Sequence, residues 1–185
     1  MYKGARLKMV DVKYLWSIGN GYVKSILELG NKGPDYDYLI TIDLLSSQAL
    51  EILLKSYFAS IVCLENIDRD EKCLGLILDK MFRDYGHNIK KLLDKDVNLK
   101  KNLKIISVEI VRNNFVNDFR VLLENKIVLS FKDLESTRYG TFAKNKNSFS
   151  QNYKKEHFEF LENLSEIVKR NIDNTLKKMP VEKIR

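Results

Sequence analysis

Between Asp43 and Glu65 the chain carries only two charged residues, Glu51 and Lys55, within the run LLSSQALEILLKSYFASIVCL at 44–64. A helix that is apolar nearly all the way round has no face to offer water, so it is stable only when neighbours surround it. The run therefore predicts a central helix, beginning near Asp35 or Asp37 and ending near Glu65, with other helices packed about it. Its two charges stand four apart, in the order that lets glutamate and lysine meet on one helical face. Either they form the single solvated edge of this helix, or they are a polar handle aimed into a site between helices.

The rest of the chain supplies candidate neighbours. Residues 11–29 place Leu15, Ile18, Tyr22, Ile26 and Leu29 on one stripe, with Asp11 as candidate N-cap and Gly30 as stop. DRDEKCLGLILDKMFRDYG at 68–86 reads as a shorter helix, with Asp68 and Glu71 at capping-box spacing and Gly86 at its end. HNIKKLLDKDV then restarts a helix for about two turns. Residues 99–126 read as a long helix with Val108, Val111, Phe115, Phe119 and Leu122 on a stripe, and 128–155 as irregular. A last helix begins near Ser150, ends before Pro180, and carries Phe158, Leu161, Leu164, Val168, Ile172 and Leu176 on its apolar face.

Gly (8) and Pro (2) are scarce in 185 residues, whereas sandwiches and barrels need many turns. The expectation is an all-α fold: a single up-and-down bundle of about four to five main helices, forming one domain over 1–185 with its core at about 10–178. No apolar run approaches the roughly 18 residues of a membrane span, and MYKGARLKMVDVK lacks the features of a signal peptide. Cys63 and Cys73 are too few for a disulfide framework or a four-ligand zinc site, and read as reduced thiols in a cytoplasmic protein.

The candidate chemistry is sparse. His87 and His157 fall in no H-x-x-x-H arrangement, the cysteines in no C-x-x-C, and no phosphate-binding glycine loop occurs, so no metal or cofactor is expected. A net charge of +7, from 32 Lys and Arg against 25 Asp and Glu, favours contact with polyanions. Residues 138–155, RYGTFAKNKNSFSQNYKK, hold Arg138, Lys144, Lys146, Lys154 and Lys155 with no acidic residue, interleaved with Tyr139, Phe142, Phe149 and Tyr153. Cations that neutralise phosphates, alternating with rings that stack on bases, suit single-stranded nucleic acid. The alternative is that Phe142 and Phe149 anchor a loop that the lysines keep soluble. A second basic run, KDVNLKKNLK at 95–104, follows Lys90 and Lys91, and the two could share one face. His87, directly after a stop glycine, is either a catalytic group or a local cap of the restarting helix.

Three strings together resemble the HEPN superfamily, the helical domains named for higher eukaryotes and prokaryotes nucleotide-binding: LLSSQALEILLKSYFAS, YGHNIKKLL and RYGTF. The resemblance covers roughly residues 10–178. It implies a bundle of helices, a homodimer, and a place in a prokaryotic toxin–antitoxin or defence-type system. It also implies binding of RNA or of a nucleotide-bearing partner. Nuclease members carry an R-x4–6-H motif, often with Asn after the arginine. Here VRNNFVNDF begins with Arg112 and Asn113, but Asn117, Asp118 and Phe119 stand where the histidine is expected. KRNIDNTL opens with Arg170 and Asn171, again without a histidine, and Arg83 and His87 are spaced R-x3-H across a glycine.

The leading expectation is thus a binding domain without a complete nuclease motif. Its polar, phosphate-binding site would gather Glu51, Lys55, His87, Arg138 and Tyr139, with Glu51 orienting Lys55 or Arg138 and with Lys144, Lys146, Lys154 and Lys155 as further ligand-binding cations. The enzyme alternative is a divergent metal-independent ribonuclease with His87 as general base and Arg83, Arg112 or Arg138 as clamp. A third possibility is a protein-interaction or dimerisation module.

Overall fold

A computed structural model of the chain describes residues 3–31, 36–113, 116–132 and 155–179. In chain order they form α1 (Lys3–Gly30), α2 (Tyr36–Glu65), α3 (Glu71–Tyr85), α4 (Ile89–Lys95), α5 (Val97–Asn102), β1 (Ile105–Asn113), β2 (Val116–Leu123), β3 (Val128–Lys132) and α6 (Lys155–Lys178).

Helix α2 is the centre that its sequence demands. Leu50, Leu53, Leu54, Phe58 and Cys63 are all buried. Residues 41–65 are long and apolar enough to cross a membrane by composition, contrary to the sequence expectation, but most of that stretch is buried inside the bundle. Helix α1 runs antiparallel to α2: the Ser56 hydroxyl donates to the Val12 carbonyl at 3.0 Å, while Gly19 packs on Leu53. Helix α6 closes the trio. Trp16 Nε1 donates to the Ser165 carbonyl at 3.1 Å, and Asn171 Nδ2 donates to Ser60 Oγ at 2.7 Å. At Gly30 a Cβ would stand 2.8 Å from the tip of the Phe158 ring, so a larger residue there would push that ring aside where α1 ends against α6.

Several local expectations need correction. Asp11 is not an N-cap: α1 starts at Lys3, and Asp11 lies within it, 3.2 Å from Lys8 Nζ. The cap of α3 is Asp70, whose side chain accepts from Cys73 N at 2.8 Å, rather than Asp68. Gly86 does stop α3, at φ 51, a conformation open to glycine.

The largest correction falls on residues 99–126. In place of one long helix there is the short α5 and then β-structure, so the fold is mainly helical with a three-stranded antiparallel sheet in the order β1-β2-β3. Cross-strand pairs Val108↔Val121↔Leu129 and Phe119↔Phe131 place buried side chains on one face, whereas Glu109↔Arg120 faces solvent. The segment is rich in β-branched residues, whose stiff side chains pack well on a pleated surface. The β2–β3 turn is made without glycine. Lys126 takes φ 64, its N–H returns to the Leu123 carbonyl at 2.9 Å, and Asn125 Oδ1 accepts from Ile127 N at 3.2 Å.

The sheet is fastened to α6 through Phe131, whose ring lies 5.0 Å from His157 and 5.9 Å from Phe160. His157 is 1% exposed and its Nε2–H donates to the Ser130 carbonyl at 2.9 Å, so this histidine is a core group.

Candidate functional site

Asp43, Ser47, Glu51 and Lys55 follow one another at four-residue steps along α2, and the first three are buried. The Ser47 hydroxyl has no hydrogen-bond partner among the described residues, but a buried carboxylate is costly unless it is paired. The partner of Glu51 comes from the break between α3 and α4. Gly86 turns the chain out of α3, and Asn88 Oδ1 caps α4 by accepting from Lys91 N at 2.9 Å. His87 is held between them and is therefore not the cap. Its imidazole reaches α2 instead, with Nδ1 at 2.9 Å from both Glu51 Oε1 and Glu51 Oε2. Lys55 Nζ donates to Glu51 Oε1 at 2.6 Å and lies 5.8 Å above the centre of the Phe82 ring.

Side-chain exposure rises from 6% at Glu51 through 17% at Lys55 to 32% at His87. The carboxylate is the floor and the imidazole is the mouth. A carboxylate can only accept, so Nδ1 carries the hydrogen, and in the neutral ring Nε2 keeps a lone pair. Nε2 has no partner among the described residues. The arrangement can take up a proton at Nε2 or, once protonated, donate to an anion.

Arg83 is exposed on the last turn of α3, with Nε donating to the Asp79 carbonyl at 3.3 Å. Together with Asp79 and Phe82 it lines an open groove of about 500 Å³. The ring beneath Lys55 is thus also a wall of this groove. Arg112 does not belong to a helix: its backbone sits in β1, in register with Asn117 of β2, so helical spacing to a later histidine has no meaning there. Lys155 opens α6 and pairs with Glu159 at 3.2 Å, 86% exposed. Arg138, Tyr139, Lys144, Lys146 and Lys154 lie outside the described residues.

The second basic run divides in two. Asp94 pairs with Lys90 and, at 3.1 Å, with Lys100. Burial raises the Asp94 carboxyl, but the hydrogen bonds and charges of Lys90 and Lys100 outweigh it and hold the group below its usual range. Lys91 and Lys95, on the other hand, have no carboxylate partner among the described residues. Lys91 Nζ lies 5.1 Å from the Tyr85 ring centre and donates to the Asp84 carbonyl at 2.7 Å. Lys95 Nζ lies 4.9 Å from Tyr85 and 5.2 Å from Phe58, and the two rings stack at 6.5 Å. This ledge of two cations over a half-buried ring brackets His87 in the chain, with Tyr85 before it and Lys91 and Lys95 after it. Sequence reasoning missed it, although Tyr85 beside the helix-stopping Gly86, with lysines following at a four-residue step, was a readable signal.

Beside the ledge, the Tyr57 hydroxyl donates to Asp96 Oδ2 at 2.9 Å. Burial, and then the hydrogen bond and charge of Asp96, push this phenol up to about 12. No group of histidine, cysteine and carboxylate side chains suited to a metal occurs among the described residues.

No family model matches the chain, and no curated protein or solved structure matches it. The functional reading therefore rests on geometry and on the resemblance of the three sequence strings.

Proposed function

We propose that this chain is a HEPN-like helical module that binds RNA, or the nucleotide of a partner, along the face bearing Tyr85, Lys91, Lys95 and His87. The observation that carries the reading is the ledge: two ammonium groups without carboxylate partners among the described residues, held 4.9 and 5.1 Å from one aromatic ring. Phosphates are neutralised by such cations, and a base can stack on such a ring. The resemblance adds the expectation of a cytoplasmic homodimer in a toxin–antitoxin or defence-type setting.

The test is the affinity for a fluorescent oligouridylate as salt is raised. Replacing Lys91 and Lys95 with alanine should reduce the slope of log affinity against log salt by roughly 1.4, about 0.7 for each lost phosphate contact. Replacing Lys144, Lys146, Lys154 and Lys155 together measures the late basic segment in the same assay. If neither variant changes the slope, the basic residues serve solubility and the reading fails.

A second reading is favoured by the hydrogen bond from His87 Nδ1 to Glu51. A carboxylate that fixes the tautomer and orientation of an imidazole is what a general base requires. In a divergent metal-independent ribonuclease, His87 Nε2 would take the proton of the attacking 2′-hydroxyl as the 2′-O–P bond forms, a proton would go to the departing 5′-oxygen from the imidazolium or water as the P–O5′ bond breaks, and Arg83 would meet the negative charge on the phosphorane oxygens. RNA cleavage in the presence of a chelator, abolished by His87→Ala with the helical signal retained, is the result this reading expects. Binding without cleavage by the unaltered protein rules it out.

A further inference from the structure

A second concave site, whose lining does not include His87, lies where α2, α5 and α6 meet. It is a cleft of about 370 Å³, lined by Tyr57, Asn102, Asn163, Arg170, Asn171 and Asn174 with Ile167 among them. On α6, positions 163, 167, 170, 171 and 174 follow the three- and four-residue steps of one helical face. That face lies beside the core stripe of Phe160, Leu164, Val168 and Ile172.

One of these amides, that of Asn171, is held firmly in place. Asn171 Nδ2 donates inward to Ser60 Oγ at 2.7 Å, Ser60 itself is fully buried, and its hydroxyl donates to the Tyr57 carbonyl at 2.6 Å. That chain fixes the side chain of Asn171 on the cleft wall, with no partner for Oδ1 among the described residues. Arg170 spends Nε on the Glu166 carbonyl at 3.4 Å and makes no ion pair among the described residues, and no acidic side chain lines the cleft among them.

We propose that this cleft binds an extended, acidic peptide segment of a partner protein. A primary amide offers one carbonyl acceptor and an N–H donor, the same pair that each peptide group presents, so asparagines can hold a backbone without reading its sequence. From Asn163 to Asn174 the helix rises about 16 Å at ~1.5 Å per residue, which is about five residues of extended chain at ~3.3 Å each. Arg170 supplies the charge preference, since its guanidinium fork can grip a carboxylate through two parallel hydrogen bonds. Ile167 offers an apolar contact between these polar groups. An RNA strand fits less well. It would bring a phosphate for every nucleotide to a cleft with a single cation among the described residues, and its backbone has no N–H to match the amide oxygens. This inference is independent of the RNA-binding reading.

The test uses the whole chain and three probes: a capped hexapeptide of alternating glutamate and alanine, its glutamine counterpart, and an oligouridylate. The side-chain amide resonances of Asn163, Asn171 and Asn174 should shift with the acidic peptide and much less with the glutamine version. Arg170→Gln should weaken acidic-peptide binding by about tenfold or more, as expected for loss of a hydrogen bond between charged groups. Asn163→Ala with Asn174→Ala, at exposed positions that leave the Ser60 contact intact, should weaken both peptides, while Lys91→Ala with Lys95→Ala should affect neither. The proposal is overturned if no probe shifts these amides, if only the oligouridylate does, or if Arg170→Gln leaves peptide affinity unchanged.

Discussion

Replacing Glu51 with alanine should lower the stability of the protein by about 3 kcal/mol, because it breaks a buried charge cluster and leaves the surviving partners unpaired. For a chain of this length that corresponds to a fall in melting temperature of roughly 6–12 °C. Glu51 is 5% exposed and joins two elements, so its loss strands Lys55 on α2 and releases His87 from the α3–α4 break. Glu51→Gln should be milder, since one amide oxygen can still accept a hydrogen bond. Urea titration separates the effect from a change in compactness: the midpoint should move while the slope stays constant. A double-mutant cycle with His87→Ala then isolates the pair. Additive losses in that cycle would mean that the 2.9 Å contact contributes nothing of its own.

Phe131→Ala should cost about as much or more, on the order of 3–5 kcal/mol for a large aromatic removed from a packed core. The ring is 1% exposed and stands between His157 and Phe160, the two α6 side chains that receive the sheet. Its removal should also loosen the sheet locally, so amides of β2 and β3 should exchange faster with solvent than those of α1 and α2. A loss below about 1 kcal/mol would show that the site collapses around the missing ring instead of leaving a cavity.

How much of this was legible beforehand depends on the residue type. α2 was readable because its composition admits no surface position, and its observed limits, Tyr36–Glu65, agree with that reading. Of the expected polar site of Glu51, Lys55, His87, Arg138 and Tyr139, the structure brings the first three together, polar groups being conspicuous on or beside such a helix, while Arg138 and Tyr139 lie outside the described residues. The sheet was hidden by an ambiguity of period. Val108, Val111, Phe115, Phe119 and Leu122 fit steps of three and four, while the buried set is Ile105 and Val108 in β1, with a register shift between them, and then the alternating Phe119, Val121 and Leu123 in β2. Scarce glycine reinforced the error, since the β2–β3 turn uses Asn125 and a left-handed Lys126 instead. The ledge escaped because Tyr85, Lys91 and Lys95 come from two helices and meet only after Gly86 folds one back beside the other.

The hydrogen bond from Trp16 to Ser165 joins positions 149 residues apart. The α1–α2 hairpin closes across a short connection, but the seam between that hairpin and α6 is gained only after a very large loop has been closed. Loop-closure entropy opposes such contacts until the rest of the chain is in place. The seam is therefore expected to form on the late side of the folding barrier, so that Trp16→Phe should raise the rate of unfolding far more than it lowers the rate of folding in stopped-flow measurements. On that expectation the protein's lifetime in its native form, rather than its speed in reaching it, is set along the line where Trp16, Asn20 and Ser165 meet.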